Sequence, residues 1–500
     1  MEAQDNEETK QTKKEPPAEP PKDQLVVTRH SIQIDKRTIP YTVTCGTIVL
    51  KEEAHKKGEK EGEFEGEQPR AQIFFIAYTR EDAPDASTRP LTFSFNGGPG
   101  SSSVWLHLGA LGPRRVEMGD AGALLPPPYR LEDNAWSLLD VTDLVFIDPV
   151  STGYSRAVAG EKPKQFHGFK RDIESVGDFI RLYATRYQRW NSPKFLIGES
   201  YGTTRAAGLS GYLQERHGMY LNGLMLVSAV LNFQTLEFDP GNELPYLLFL
   251  PTYTATAWYH QRLAPDLQAQ PLSAVLAGVR KFAQDEYSLA LLKGDALAGA
   301  ERRRIARKLS RWTGLTADYI ERANLRIEIF RFTKELLRGE RRTVGRLDSR
   351  FKGIDRDAAG EMFERDPSMS AILGPYATAF NHYVRSELNY ESDLPYETLT
   401  SLFHTWSYAE HENRYVDVAE TLRQAVNANP ALQVLVANGF YDLATPFYAT
   451  EYTVNHLALE PSLRSNLQMK YYAAGHMMYV HQPSLAQLKT DLAEFIRQSA

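Results

Sequence analysis

A serine acts as a nucleophile only where a base can take its proton, an acid orients that base and fixed donors meet the oxyanion. The pentapeptide Gly198-Glu199-Ser200-Tyr201-Gly202 offers such a serine. It follows the apolar run KFLI and precedes TTRAAGLSGYLQER, which has helical character. A tight strand-to-helix turn of this kind lifts Ser200 above the edge of a sheet. Glycines on either side permit the sharp bend and the close approach of strand and helix. The N–H of Tyr201 then points at the developing oxyanion. A bare G-x-S-x-G match is common by chance, and the strand before it and the helix after it give this one its weight.

The partners stand in the expected order. Asp442 lies in GFYDLATP, just past the apolar run LQVLVAN, and His476 lies in AAGHMM, just past MKYYAA. Serine, acid and histidine follow one another in this sequence where a strand–turn–helix elbow carries the nucleophile. Of the twelve histidines, His476 alone combines a strand end, a preceding glycine and the right order. Taken singly, Asp442 reads equally well as a turn-capping aspartate. Asn96-Gly97-Gly98-Pro99-Gly100 follows the run LTFSF, and an early glycine-rich loop is where a second oxyanion N–H arises.

Positioning these groups requires strands that end on one edge. The runs LTFSF (91–95), DLVFID (143–148), KFLIGE (194–199), LMLVSAV (224–230), LQVLVAN (432–438) and MKYYAA (469–474) are short and apolar. Several are apolar at both parities, as strands covered on both faces are. Ile173, Val176, Phe179, Ile180 and Tyr183 repeat at helical spacing between two of them. This alternation predicts a mostly parallel α/β sheet flanked by helices, with functional groups at its carboxyl edge. Residues 25–80 read as N-terminal β-strands, with the charged tract KEEAHKKGEKEGEFEGEQPR as a long solvated hairpin loop. Between residues 236 and 385 the alternation gives way to helical patterns, a cap insertion between two core segments, 25–235 and 386–500. Residues 1–24 are charged and proline-rich and read as a disordered leader without an apolar signal region.

Bulk properties exclude several classes. The 500 residues carry a formal net charge of −6, with 42% hydrophobic and 24% charged residues. This argues against a nucleic-acid binder, which needs a basic field. No apolar stretch approaches the about 18 residues of a membrane span. Cys45 is the single cysteine, so no internal disulfide forms, and its β-rich setting reads as a small buried strand residue. HEN at 411–413 lacks the spacing of a zinc helix.

Together NGGPGSSS (96–103), IDPVSTGYS (147–155), GESYG (198–202), GFYD (439–442) and AGHMM (474–478) resemble the serine carboxypeptidase family. The resemblance runs from about residue 91 to 235 and from about 430 to 485. It implies an α/β-hydrolase fold, a peptide substrate shortened from its C-terminus, and no cofactor or metal. It makes Ser200, Asp442 and His476 a catalytic triad and the N–H groups of Gly98 and Tyr201 an oxyanion hole. Asn96 and Glu199 match residues that hold the substrate's terminal carboxylate. Two carboxyl groups share a hydrogen bond only if one keeps its proton, so such binding is favoured in mild acid. The sequence departs from the family pattern at Ser94 (tryptophan expected), Ser101 (cysteine), Ala110 (a second acid) and Thr445 (cysteine). The single cysteine suits a bacterial-type branch. The resemblance points to a secreted or periplasmic enzyme and leaves a homodimer and a cytoplasmic location open. An esterase or acyltransferase could use the same triad. A non-catalytic binding protein would have no need of all three residues.

Overall fold

The computed structural model describes residues 21–56, 62–119 and 123–500. The expected leader therefore lies largely outside the described residues. Strand β1 (Gln24–Ile34), β2 (Arg37–His55) and β3 (Phe64–Arg80) form an antiparallel meander. The charged tract differs from the expected loop: β2 and β3 run through most of it as a paired arm. Cross-strand partners explain this. Lys56 Nζ lies 2.8 Å from Glu63 Oε2, and the rings of His55 and Phe64 meet edge-on at 6.2 Å. Opposite charges and aromatic pairs across a ladder stabilise strands even where both faces see water. Cys45 lies on β2 and is buried, which pushes its thiol pKa up.

The further main strands are β4 (Leu91–Phe95), β5 (Asp143–Ile147), β6 (Lys194–Glu199), β7 (Gly223–Val227), β8 (Gln433–Gly439) and β9 (Leu467–Tyr472). They join the meander in one sheet of order β1-β2-β3-β5-β4-β6-β7-β8-β9. All pairings from β5 to β9 are parallel. The chain reaches β4 before β5 and then crosses to β6 on the other side, so the order reverses at β4. Such a reversal opens a crevice at the carboxyl ends of the strands.

Helices cover both faces. On one side lie α1 (Phe169–Arg186) and α2 (Tyr201–His217), whose Val176, Phe179, Leu209 and Leu213 enter a core with Phe75, Phe93 and Leu196. The five apolar positions of α1 at helical spacing are all buried. Between β7 and β8 the chain is mainly helical. There α3 (Leu244–Tyr259), α4 (Leu272–Phe282) and α5 (Gly299–Thr313) share a separate apolar core with Leu443 and Phe447, just past Asp442. Helix α6 (Pro367–Ser386) packs instead on the second face of the sheet, through Tyr376, Phe380 and Tyr383. That face is completed by α7 (Gln482–Ser499), through Leu485, Leu488 and Leu492. Among the described residues no helix is long and apolar enough to cross a membrane.

Phe179 is fully buried and packs 5.3 Å from the ring of Phe75 on β3. Phe179→Ala is expected to cost about 3–5 kcal/mol, read as a lower midpoint of urea unfolding. An unchanged midpoint would mean that α1 does not anchor this face.

Candidate active site

Each expected site residue sits just past the carboxyl end of a parallel strand. Asn96 follows β4, Glu199 ends β6, Ser200 follows it, and Asp442 and His476 follow β8 and β9. Ser200 has φ 60° and ψ −131°, a conformation costly for a side-chain-bearing residue. The strain is held by what surrounds the turn. Ser200 N–H donates to Val227 O at 3.0 Å, and Thr203 Oγ1 donates to Ser200 O at 2.7 Å. Tyr201 opens α2, so its N–H is among the donors that a helix start leaves without an intrahelical acceptor.

The loop after β4 lies directly on this elbow. A methyl group on Gly97 would sit 2.5 Å from Tyr201 N and 2.7 Å from Gly202 N. Only a bare backbone allows that approach, which sets Gly97, the neighbour of Gly98, against the first turn of α2. Arg205 secures the contact from beneath. Its Nη1 donates to Asn96 O at 2.6 Å and its Nε to Asp172 Oδ2 at 2.8 Å, both deep in the core. Asp172 also accepts from the Tyr201 hydroxyl at 3.3 Å, and Trp406 Nε1 donates to that hydroxyl at 3.1 Å. Removing one member of such a buried pair costs about 3–5 kcal/mol, because the other charge is left uncompensated.

Asp442 and His476 are joined. His476 Nδ1 lies 2.8 Å from Asp442 Oδ2, and both side chains are buried. With Nδ1 committed to the acid, Nε2 is the nitrogen left for a reacting hydroxyl. Asp442 also accepts from the N–H groups of Ala444 and Thr445 and from Thr445 Oγ1 at 2.7 Å. The hydroxyl that stands in place of a family cysteine thus binds the acid itself. Burial pulls the His476 pKa down, but the charge and hydrogen bond of Asp442 outweigh it, and Glu199 adds to them, so the net shift is upward. Ser228 Oγ donates to His476 O at 2.7 Å, tying the histidine loop to the end of β7, whose Val227 O accepts from Ser200 N–H.

A second clamp comes from the helical insertion. The two-residue strands Thr343–Val344 and Lys352–Gly353 pair, and the turn between them reaches the loops after β8 and β9. Ser349 N–H donates to Tyr441 O, Leu443 N–H to Arg346 O, and His476 N–H to Leu347 O. Gly475 N–H donates to Asp348 Oδ2 at 3.2 Å, and Arg350 bridges Asp348 and Ala473 O. Nothing in the local sequence marks residues 346–350. Their contacts join segments about a hundred residues apart.

Glu199 and Asn96 face each other beside the elbow. Asn96 Nδ2 donates to Glu199 Oε1 at 3.0 Å, and Asn96 Oδ1 accepts from Leu106 N–H at 3.1 Å. Burial raises the Glu199 pKa to about 7, against the pull of His476. The site therefore holds a carboxyl group that keeps its proton far above the usual carboxylate range.

Residues 60–238 match the family model described as serine carboxypeptidase. This segment is similar to the serine carboxypeptidase family. A relative from Arabidopsis thaliana, serine carboxypeptidase-like 36, is 28% identical over 164 residues, 32% of this chain and 32% of that protein. The pheromone-processing carboxypeptidase KEX1 of Saccharomyces cerevisiae is 33% identical over 137 residues, 26% of this chain and 18% of that protein. The chain thus spans about a third or less of the length of these curated relatives. The crystal structure of KEX1, a prohormone-processing carboxypeptidase, superposes with a TM-score of 0.55 at 16% identity, over 91% of each chain. The fold is that of the α/β-hydrolases. These relatives are plant and yeast proteins and lend no support to the bacterial branch expected from the single cysteine.

Asp442→Asn is expected to lower the His476 pKa relative to the unsubstituted protein, since burial then acts without the opposing charge. NMR titration of the His476 ring reads this directly. An unchanged or higher value would show that Asp442 does not set the charge of the imidazole.

Proposed function

We propose that the protein is a serine carboxypeptidase that releases C-terminal amino acids from peptides through an acyl-enzyme on Ser200. The observation that carries this reading is Glu199: a buried carboxyl, protonated up to about 7, hydrogen-bonded to Asn96 and adjacent to Ser200. A neutral carboxyl with an amide donor suits a terminal carboxylate, because the acid gives its proton to the shared hydrogen bond and no like-charge repulsion arises. A hydrolase acting inside a chain or on a neutral ester has no use for such a pair.

The reaction we propose is an acyl transfer in two stages. His476 Nε2 takes the Ser200 proton as Oγ bonds to the carbonyl carbon of the last peptide link. The N–H groups of Gly98 and Tyr201 receive the oxyanion. The imidazolium, held in orientation by Asp442, passes its proton to the leaving nitrogen as the C–N bond breaks. Water then adds to the acyl-enzyme with His476 as base, and Ser200 regains its proton as the shortened peptide departs.

Ser200→Ala is expected to lower kcat by at least about 10^4-fold while leaving the fold intact. Full peptide hydrolysis by this variant would remove Ser200 as the nucleophile.

The pH profile separates the two acid–base groups. The neutral form of Glu199 is the one that binds the carboxylate, so binding is present below its pKa and is lost as pH rises through about 7. For free-acid peptides, kcat/KM is expected to fall above that point. The same peptides with amidated C-termini should lack this fall. Both substrates should lose rate at lower pH as His476 becomes protonated and ceases to act as a base. Identical profiles for the two substrates would contradict the role of Glu199.

A further inference from the structure

Three buried oxygens near Asn96 lack a hydrogen bond of good geometry, although the Tyr479 hydroxyl lies close enough to Glu199 and Asn96 for a loose one. They are Glu199 Oε2, the Tyr376 hydroxyl and the Tyr479 hydroxyl. Burying a polar atom without a hydrogen bond is costly, and native interiors hold few such atoms. Three in one cluster therefore mark a place built for a ligand. Both tyrosines are essentially inaccessible, at 0% and 3% of their surface exposed. Tyr479, three residues after His476, is close enough to Glu199 and Asn96 for each to act on its hydroxyl, and Tyr376 is close enough to feel the charge of Glu199.

The packing explains how two large rings reach this point. The chain forms a π-helical turn at His107–Leu111, a wider turn that recurs at functional sites. Gly109 sits in it. A methyl group there would lie 2.4 Å from the Tyr376 hydroxyl oxygen and 2.4 Å from Tyr479 Cε2. Glycine at 109 therefore makes room for both rings, and the next residue is Ala110, where the family pattern leads one to expect a second acid. Trp105, on the same stretch, packs at 5.0 Å from the Tyr376 ring and fixes its orientation. Arg115 also acts electrostatically on Tyr376, which favours an anion there.

We propose that the hydroxyls of Tyr376 and Tyr479 are specificity-determining donors that bind the terminal carboxylate of the peptide between Glu199 and the two rings. The inference rests on the carboxypeptidase reading above and deepens it. The two phenols supply the hydrogen bonds that a second acid would otherwise give. A phenol donates without first having to capture a proton, so one carboxyl rather than two governs carboxylate binding.

The test uses Tyr376→Phe, Tyr479→Phe and the double variant, which keep the rings and their packing. Steady-state kinetics are measured on one peptide as free acid and as C-terminal amide, with thermal unfolding of each variant. Loss of a hydrogen bond to a charged group is expected to raise KM for the free acid by about ten- to a hundredfold, with little change for the amide. The thermal midpoint should change little, since neither hydroxyl holds a hydrogen bond of good geometry in the unliganded protein. Equal losses on both substrates, or a fall in thermal midpoint, would show a structural role and overturn the proposal. Full retention of the free-acid preference in the double variant would overturn it while leaving the carboxypeptidase reading intact. A wild-type enzyme with no preference for the free acid would sink both.

Discussion

The hydrogen bond from Asn96 to Glu199 joins the two strand ends on which the site is built. It lies where the strand order reverses, between the loop after β4 and the elbow after β6. Both partners are buried, so the carboxyl cannot ionise cheaply and stays neutral to about 7. Much of the neighbouring structure serves to hold these two ends together. Arg205 grips the backbone of Asn96 and the carboxylate of Asp172, and Tyr201 and Trp406 extend that network to the surface. The backbone of Gly97 lies against the first turn of α2 because no side chain intervenes. A strained Ser200 persists because its neighbours on both sides are fixed.

The acid–histidine pair is held by a different part of the chain. Its loops are tied to β7 through Ser228 and to the helical insertion through residues 346–350. The insertion is thus joined by backbone hydrogen bonds to the two loops that carry Asp442 and His476. Its own apolar core includes Leu443 and Phe447, immediately after the acid. A shift of the insertion would be transmitted to both loops, and with them to the alignment of Asp442 and His476.

Much of this was legible in the sequence, for physical reasons that can be named. Strands covered on both faces are apolar at both parities, so β4 to β9 stand out as short runs ending in turns. An elbow must be flanked by small residues, and GESYG shows them. Where information is carried by contacts rather than local pattern, the sequence is silent. Asp348 meets Gly475 across 127 residues, and no periodicity announces it. Tyr376 and Tyr479 read as ordinary core aromatics until their hydroxyls, without hydrogen bonds of good geometry, are set beside the electrostatic influence of Glu199 on both. The arm formed by β2 and β3 was hidden for the opposite reason: its charged composition resembles a loop, while its cross-strand pairing makes it a ladder.

The pairing of a neutral Glu199 with a terminal carboxylate has a direct thermodynamic signature. A product-like ligand, an N-acyl amino acid with a free carboxylate, is titrated into the Ser200→Ala variant by calorimetry at pH 8, in buffers of different ionisation enthalpy. Glu199 is then largely ionised before binding and must regain its proton to accept the ligand. Uptake approaching one proton per ligand bound is expected, with none in a Glu199→Gln variant. Binding of the same ligand with no proton uptake would contradict the shared hydrogen bond on which the reading of the site depends.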